Sequence, residues 1–444
     1  MRCRAPPPTG NHAMKTAVFV IAACGMCCAP LARAQAPEAD PNEVQVPRDL
    51  TLGDALRLAL DANPGLRALG LELRKAEGRT RQAAVRPNPG LALDVENFGG
   101  TLPGVSRSEA TLSVGQILEL GGKRPARIGA ARADEAVVSL DVAAGRLALV
   151  AEVVTRYLEA IAADRALALS HEEVRAAEEA ATTTAQRVRA GAAHPVEQRR
   201  AEVELANAKL ERTTVEVEAS LTRTRLSLLW GDAEPRFEQL LGGLDSLAGP
   251  PSLDSIAARA ETSPVLARWR AERDARRKRL DLERARRIPD LTAQAGVRSF
   301  AETSDRALVG VVGFPLPLFD RNRGAIQEAT AALEQVPNQE AQARVEVRRA
   351  LAEAHATLRR ARGKVETLRH EVLPEAQRAF EEMRVGFERG RFTYLDLLEA
   401  RRTWIRARRE ELQTLLIGHL AIAELERLIG GPLETPSREG GPER

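Results

Sequence analysis

KRPARIGAARADEAVVSLDVAAGRLALVAEVVTRYLEAIAADRALALSHEEVRAAEEAATTTAQRVRA, residues 123–190, decides the architecture. Its one proline, Pro125, falls in the first turn, where a helix tolerates it. Leu147, Val150, Val154, Leu158 and Ile161 recur at helical spacing amid charge. About 65 residues at ~1.5 Å each predict a helix of roughly 100 Å, far longer than a globular domain needs. A return helix over 196–229 carries Val203, Leu205 and Leu210 among charged residues. Such helices bury their apolar stripe only against one another, as antiparallel coiled-coil neighbours.

The pattern occurs twice, at an offset of about 199 residues. Ala62-Asn63-Pro64 returns as Thr262-Ser263-Pro264, Arg86-Pro87 as Ile288-Pro289, Arg189-Ala190-Gly191 as the Arg389-Gly390 turn, and Trp230-Gly231 as Ile429-Gly430. His171-Glu172 falls opposite His370-Glu371. The second long helix is predicted over 325–389, interrupted at Pro337 and Pro374, with its return over 394–428. The chain thus divides into two copies of one unit, 51–249 and 250–431, joined at Gly249-Pro250-Pro251. Residues 35–49 and the tail 432–444 are expected to be disordered.

In each unit a helix leads to a pair of strands before the long helix begins. In the first, a helix over 66–85 stops at Arg86-Pro87-Asn88-Pro89. Leu91, Leu93 and Val95 then share one face, and Ala110-Thr111-Leu112-Ser113-Val114 alternates again. In the second, 291–298 alternates throughout, and 307–314 is more uniformly apolar. Such alternation suits a surface sheet packed on helices, or a membrane strand apolar toward lipid and polar toward a water-filled lumen. Phe98 and Phe300 at matching strand ends suit membrane interfaces. Four strands cannot close a barrel, and an open edge is not tolerated in lipid. Copies must therefore associate, two giving eight strands or three giving twelve.

Aromatics make up only 3% of the chain and charged residues 29%, the balance of long solvated helices and not of an ordinary globular core. The start reads as an export signal: Met14 as first residue, an apolar stretch over 16–31, and cleavage after Ala32-Arg33-Ala34. Cys3, Cys24, Cys27 and Cys28 all precede that point, which would leave a mature chain without disulfides or thiolate ligands. Ile21-Ala22-Ala23-Cys24 also has the form of a lipoprotein box, making Cys24 the alternative lipid anchor. Residues 1–34 hold four cations and no acid, so their removal takes the formal charge from +3 to −1. The basic balance is then no sign of nucleic-acid binding. Neither a GxxxxGK[ST] nor a GxSxG motif occurs, and the histidines lack ligand spacing. No catalytic, cofactor or resident metal site is expected.

These features resemble the TolC family of outer-membrane efflux channels over essentially the whole mature length. Leu118-Glu119-Leu120-Gly121-Gly122-Lys123-Arg124 and the 314–324 stretch FPLPLFDRNRG, both at strand-to-helix junctions, resemble its heavy-metal branch, the partners of cobalt–zinc–cadmium exporters. The resemblance implies a mainly α protein with a transmembrane β-barrel: a homotrimer with a twelve-stranded barrel in outer-membrane lipid and a long antiparallel helical tunnel in the periplasm. It implies passive conduction of substrate, heavy-metal cations in this branch, delivered by an inner-membrane RND pump through a periplasmic adaptor. It places the adaptor-docking tips at Arg189, Gly191 and His194 and at Arg389, Gly390, Arg391 and Phe392. It places the periplasmic gate at Asp396 and Glu399, whose i, i+3 spacing shares one helix face. Relatives with a locking arginine differ here, since this chain has Phe392 with Arg391 beside it. The alternatives are a drug or polypeptide-secretion channel of the same family, or a periplasmic adaptor, which would need one hairpin and not two.

Overall fold

The computed structural model describes residues 46–99, 101 and 104–433. The predicted signal segment, Cys24 and most of the two terminal segments lie outside the described residues. In chain order the elements are β1 (Asp49–Leu50), α1 (Leu52–Ala62), α2 (Pro64–Ala83), β2 (Gly90–Glu96), β3 (Glu109–Leu118), α3 (Lys123–Arg189) and α4 (Pro195–Ser227). The second half has β4 (Gln239–Leu240), α5 (Leu253–Ala260), α6 (Pro264–Arg286), β5 (Leu291–Phe300), β6 (Arg306–Gly313), α7 (Arg323–Thr367), α8 (Leu373–Glu388) and α9 (Tyr394–Ile429).

The 67 residues of α3 form one unbroken helix, as their spacing predicts. Next to the sheet, Ala133 and Val137 of α3 pack on Ala275 of α6, while Thr80 of α2 donates to Glu135 at 2.5 Å. Farther along, α3 is flanked by α4 and α9, and α8 packs on α9. Midway, Leu351, Leu358 and Leu425 join Ile256 of α5 in a core of α5, α6, α7 and α9. At the same girdle β1 pairs in parallel with β4. The buried Tyr157 hydroxyl reaches the Leu50 and Leu241 carbonyls at 2.8 and 2.5 Å. Burial pushes that hydroxyl up to about 12.

Three expectations need correction. Helix α7 runs through Pro337 without a break. At Pro374 the helix does change: Leu368–Val372 widen into a π turn just before it. Proline cannot donate to the carbonyl four residues back and its ring crowds that carbonyl, which an added residue in the turn relieves. The terminal segments are also shorter than expected. Asp49 belongs to β1, and after α9 the Leu433 amide donates to Glu426 at 3.0 Å while Arg259 donates to the Pro432 carbonyl at 2.8 Å.

The four strands form one antiparallel sheet in the order β2-β3-β5-β6, so β2 and β6 are its edges. The register aligns Leu93, Leu112, Val297 and Leu308 in one row and Leu91, Val114, Ala295 and Gly310 in the next. Leu91, Leu93, Leu112, Val114 and Leu308 on this face are all exposed. The opposite face is the more polar one, with Arg298 donating to Thr111 and Glu109, both at 2.9 Å, and pairing with Glu96 at 3.4 Å, although β6 adds Val309 and Val311 to it. β3 continues to Leu118, beyond the predicted 110–114, because β5 pairs with its full length.

Candidate functional site at the hairpin tips and the strand–helix junctions

Helices α3 and α4 meet at one tip, α8 and α9 at the other. At the first, the Ala192 amide donates to the Arg187 carbonyl (2.7 Å) and the Gly191 amide to the Val188 carbonyl (3.0 Å). At the second, Arg391 donates to Gly386 (2.8 Å) and Gly390 to Phe387 (3.0 Å). Each is a Schellman closure, in which a residue at positive φ satisfies the last helical carbonyls. Gly191 at φ +72° and Gly390 at φ +75° supply it without steric cost. The chain then restarts on an extended cap. His194 accepts the Val196 amide on Nδ1 at 3.2 Å, and Thr393 accepts the Asp396 amide at 3.3 Å.

Arg189, Gly191, His194, Arg389, Gly390, Arg391 and Phe392 are all exposed. The ring of Phe392 leans on Gly386, leaving no room there for a Cβ. The two tips lie together, joined by a residue the sequence reading missed. Arg187 donates to the Phe387 carbonyl, approaches the Ala192 carbonyl at 3.4 Å and stacks its guanidinium 4.6 Å from the Phe387 ring centre. It thus bonds carbonyls of both hairpins.

Asp396 and Glu399 sit one turn apart on α9, both exposed. They are not equivalent. The Asp396 carboxylate accepts the Thr393 hydroxyl at 2.7 Å and the Thr393 amide at 2.9 Å, closing a capping box. The hydroxyl bond first, and the amide bond second, hold its carboxyl below the usual aspartate range. Glu399 has no hydrogen-bond or ion-pair partner among the described residues.

Behind the second tip, Phe380 stacks on Trp404 (5.2 Å) and Phe387 meets Tyr394 edge-on (6.1 Å). With Phe392, these are five of the chain's fourteen aromatics. Their concentration within 25 residues was the available sequence signal. A charged ladder continues along α9. Arg401 and Arg402 pair with Glu204 of α4, Arg408 with Glu172 of α3, and Arg409 with both Glu173 (2.6 Å) and Glu211 (2.9 Å). Burial raises the Glu173 carboxyl, opposed by its bond to Arg409. Among the described residues no group of three or more His, Cys, Asp or Glu could hold a metal ion. His171 and His370, at matching places in the two copies, are both exposed.

The junction stretches also match in geometry. Gly122 (φ +71°) and Asn322 (φ +54°) both enter their long helices from the left-handed region. Asp290 accepts the Leu120 amide (3.1 Å) and pairs with Lys123 (2.7 Å), fastening the end of β3 to the start of β5. Asn322 donates to the Glu283 carbonyl (2.9 Å) and carboxylate (3.0 Å).

The family model for outer membrane efflux proteins matches residues 55–232 and 257–431. The chain is 35% identical over 390 residues to the cobalt-zinc-cadmium resistance protein CzcC of Cupriavidus metallidurans, covering 88% of this chain and 92% of that protein. It is 30% identical over 301 residues to the nickel and cobalt resistance protein CnrC of the same organism, covering 68% and 69%. Among solved structures, a membrane protein from Pseudomonas aeruginosa aligns with a TM-score of 0.73 at 22% identity, over 86% of this chain and 90% of that one. CusC aligns with a TM-score of 0.73 at 17% identity, over 88% and 96%. The repeated helix–strand-pair–helix unit, its exposed apolar sheet face and these matches agree: the chain belongs to the outer membrane efflux protein family, resembling its heavy-metal branch.

Proposed function

We propose that three copies of this chain form the outer-membrane channel of a tripartite efflux system that exports heavy-metal cations. The observation that carries this reading is the sheet. Its apolar face is exposed, its two edges are open, and its other face carries the charged and hydroxyl side chains around Arg298. In lipid every backbone group must be bonded, so β2 of one copy has to meet β6 of another. Three copies would close twelve strands around a polar lumen. Helix α4 supports association too. Val196, Val203, Leu210 and Val217 recur every seventh residue and are exposed, a seam suited to a neighbouring helix.

Substrate would enter at the tips, where a periplasmic adaptor fed by an inner-membrane pump would dock on the paired Schellman turns. Six carboxylates from Asp396 and Glu399 would favour cations at the mouth. The metal assignment rests on the resemblance to CzcC and CnrC. It is tested by growth of a deletion strain on zinc, cadmium, cobalt, nickel, copper and a panel of organic toxins. The expected result is hypersensitivity to a group of metals that this gene restores. Sensitivity to organic toxins with normal metal tolerance would overturn the metal reading and leave a general efflux channel.

A further inference from the structure

The helix ends that meet the sheet carry an excess of cations over anions. Within twelve residues of the four strand ends on the helical side lie twelve Lys and Arg against five Asp and Glu, in a chain where the two classes are nearly equal. The loops at the far end of the sheet, 97–108 and 301–305, carry Arg107 against Glu302 and Asp305. The excess is therefore one-sided.

Several of these cations have no work inside the chain. Arg86, Arg287 and Arg323 are exposed, and their side chains have no ion-pair or hydrogen-bond partner among the described residues. They sit beside exposed apolar side chains. Val85 precedes Arg86, and Ile288 follows Arg287, each in the turn just before its strand. Arg323 follows the run Phe314, Leu316, Leu318 and Phe319, which lies open to solvent with Phe319 at 99% exposure. In the first repeat, Arg79, Val85, Arg86, Pro87 and Arg127 line a shallow groove of about 480 Å³. Arg127 is engaged there, bonding Glu119 and the carbonyls of Ala83 and Val85, and Arg86 is free.

We infer that this collar binds the headgroups of anionic phospholipids in the leaflet facing the periplasm. The inference rests on the channel reading, which puts the sheet in the membrane and this end of it at the periplasmic surface. Exposed apolar side chains at this end of the sheet, interspersed with unpaired guanidinium groups, match an acyl chain ending in a phosphodiester. Arginine suits phosphate because its planar fork offers two parallel donors. Its stem can lie along apolar surface while the charge reaches the headgroup. A zwitterionic headgroup, with its own cation, satisfies the same geometry less well.

The test uses the full-length mature protein, delipidated in detergent and then offered equal amounts of phosphatidylethanolamine and phosphatidylglycerol, with bound lipid counted by native mass spectrometry. The expected result is enrichment of phosphatidylglycerol that weakens with salt, falling about fivefold for each of Arg86→Gln, Arg287→Gln and Arg323→Gln. Arg199→Gln with Arg200→Gln, on α4 near the tip, should leave the preference unchanged. Equal retention of the two lipids by the unmodified protein, or a preference that all three collar substitutions leave intact, would overturn the inference. Insertion into vesicles of either lipid separates the two readings. A protein that inserts and conducts without lipid preference loses only the collar, whereas one that inserts in neither loses the barrel and the collar with it.

Discussion

Single residues set the tip geometry. Gly191 and Gly390 stand at positive φ, where a Cβ costs about 1 kcal/mol or more. Gly191→Ala and Gly390→Ala should each destabilise the protein by about 1 kcal/mol in thermal or denaturant unfolding. Gly363→Ala, inside α7 with nothing within 4 Å of the new Cβ, should instead stabilise by about 0.5–1 kcal/mol. The proposed gate also separates by residue. Asp396→Asn keeps one acceptor oxygen for Thr393 while removing the charge, and Glu399→Gln removes a charge that holds nothing. The double variant should lose cation preference in planar bilayers while the tip stays folded; an unchanged preference would remove these carboxylates from the gate. Because Thr393 depresses the Asp396 carboxyl, the folded state favours its ionised form. Both the cap and the charge are then present above the ordinary aspartate value and are lost only as pH falls through the lower folded one. The positive-φ glycines were legible from turn chemistry, while Asp396 and Glu399 were singled out by resemblance alone. Arg187 was not, because its partner Phe387 lies 200 residues away and no local pattern announces a cross-hairpin bond.

At the scale of elements, the long helices were read nearly to the residue, since a 67-residue run without an internal break leaves helical periodicity no rival. The proline rule misjudged Pro337. Val336 beside it is buried, and that tertiary contact outweighs one missing bond. Proline inside a helix costs about 3 kcal/mol relative to alanine, so Pro337→Ala should raise stability by up to about that amount in thermal unfolding. No change would mean that α7 is already broken there in solution. Strand boundaries were less legible. β3 runs on through Gly115, Gln116 and Ile117, where alternation fades, because β5 supplies partners the local sequence cannot reveal. β1 was missed for the same reason: two residues pair only because β4, 190 positions later, lies alongside.

The whole molecule is legible as a repeat but incomplete as a single chain. The rows across four strands build an extended exposed apolar surface, which solvent would not leave uncovered without a purpose. If lipid covers it, Leu93→Arg or Leu112→Arg should cost about 2–4 kcal/mol near the bilayer midplane and lower the amount of inserted protein. Gln294→Arg, at an exposed position on the polar face, should be tolerated far better. Equal losses on the two faces, measured by outer-membrane fractionation, would contradict this assignment of faces. The helical half follows the same logic, since the α4 seam is unpaired within the chain.

The central claim is that sheets from three copies join edge to edge in the outer membrane. Cysteine cross-linking tests it most directly, with Leu93→Cys on β2 combined in turn with Arg306→Cys, Leu308→Cys and Gly310→Cys on β6, and oxidation in intact membranes. The account predicts that at least one combination gives covalent trimers and nothing larger, while single variants give none. A product that stops at dimers, or no product from any combination in protein that has reached the outer membrane, would contradict it.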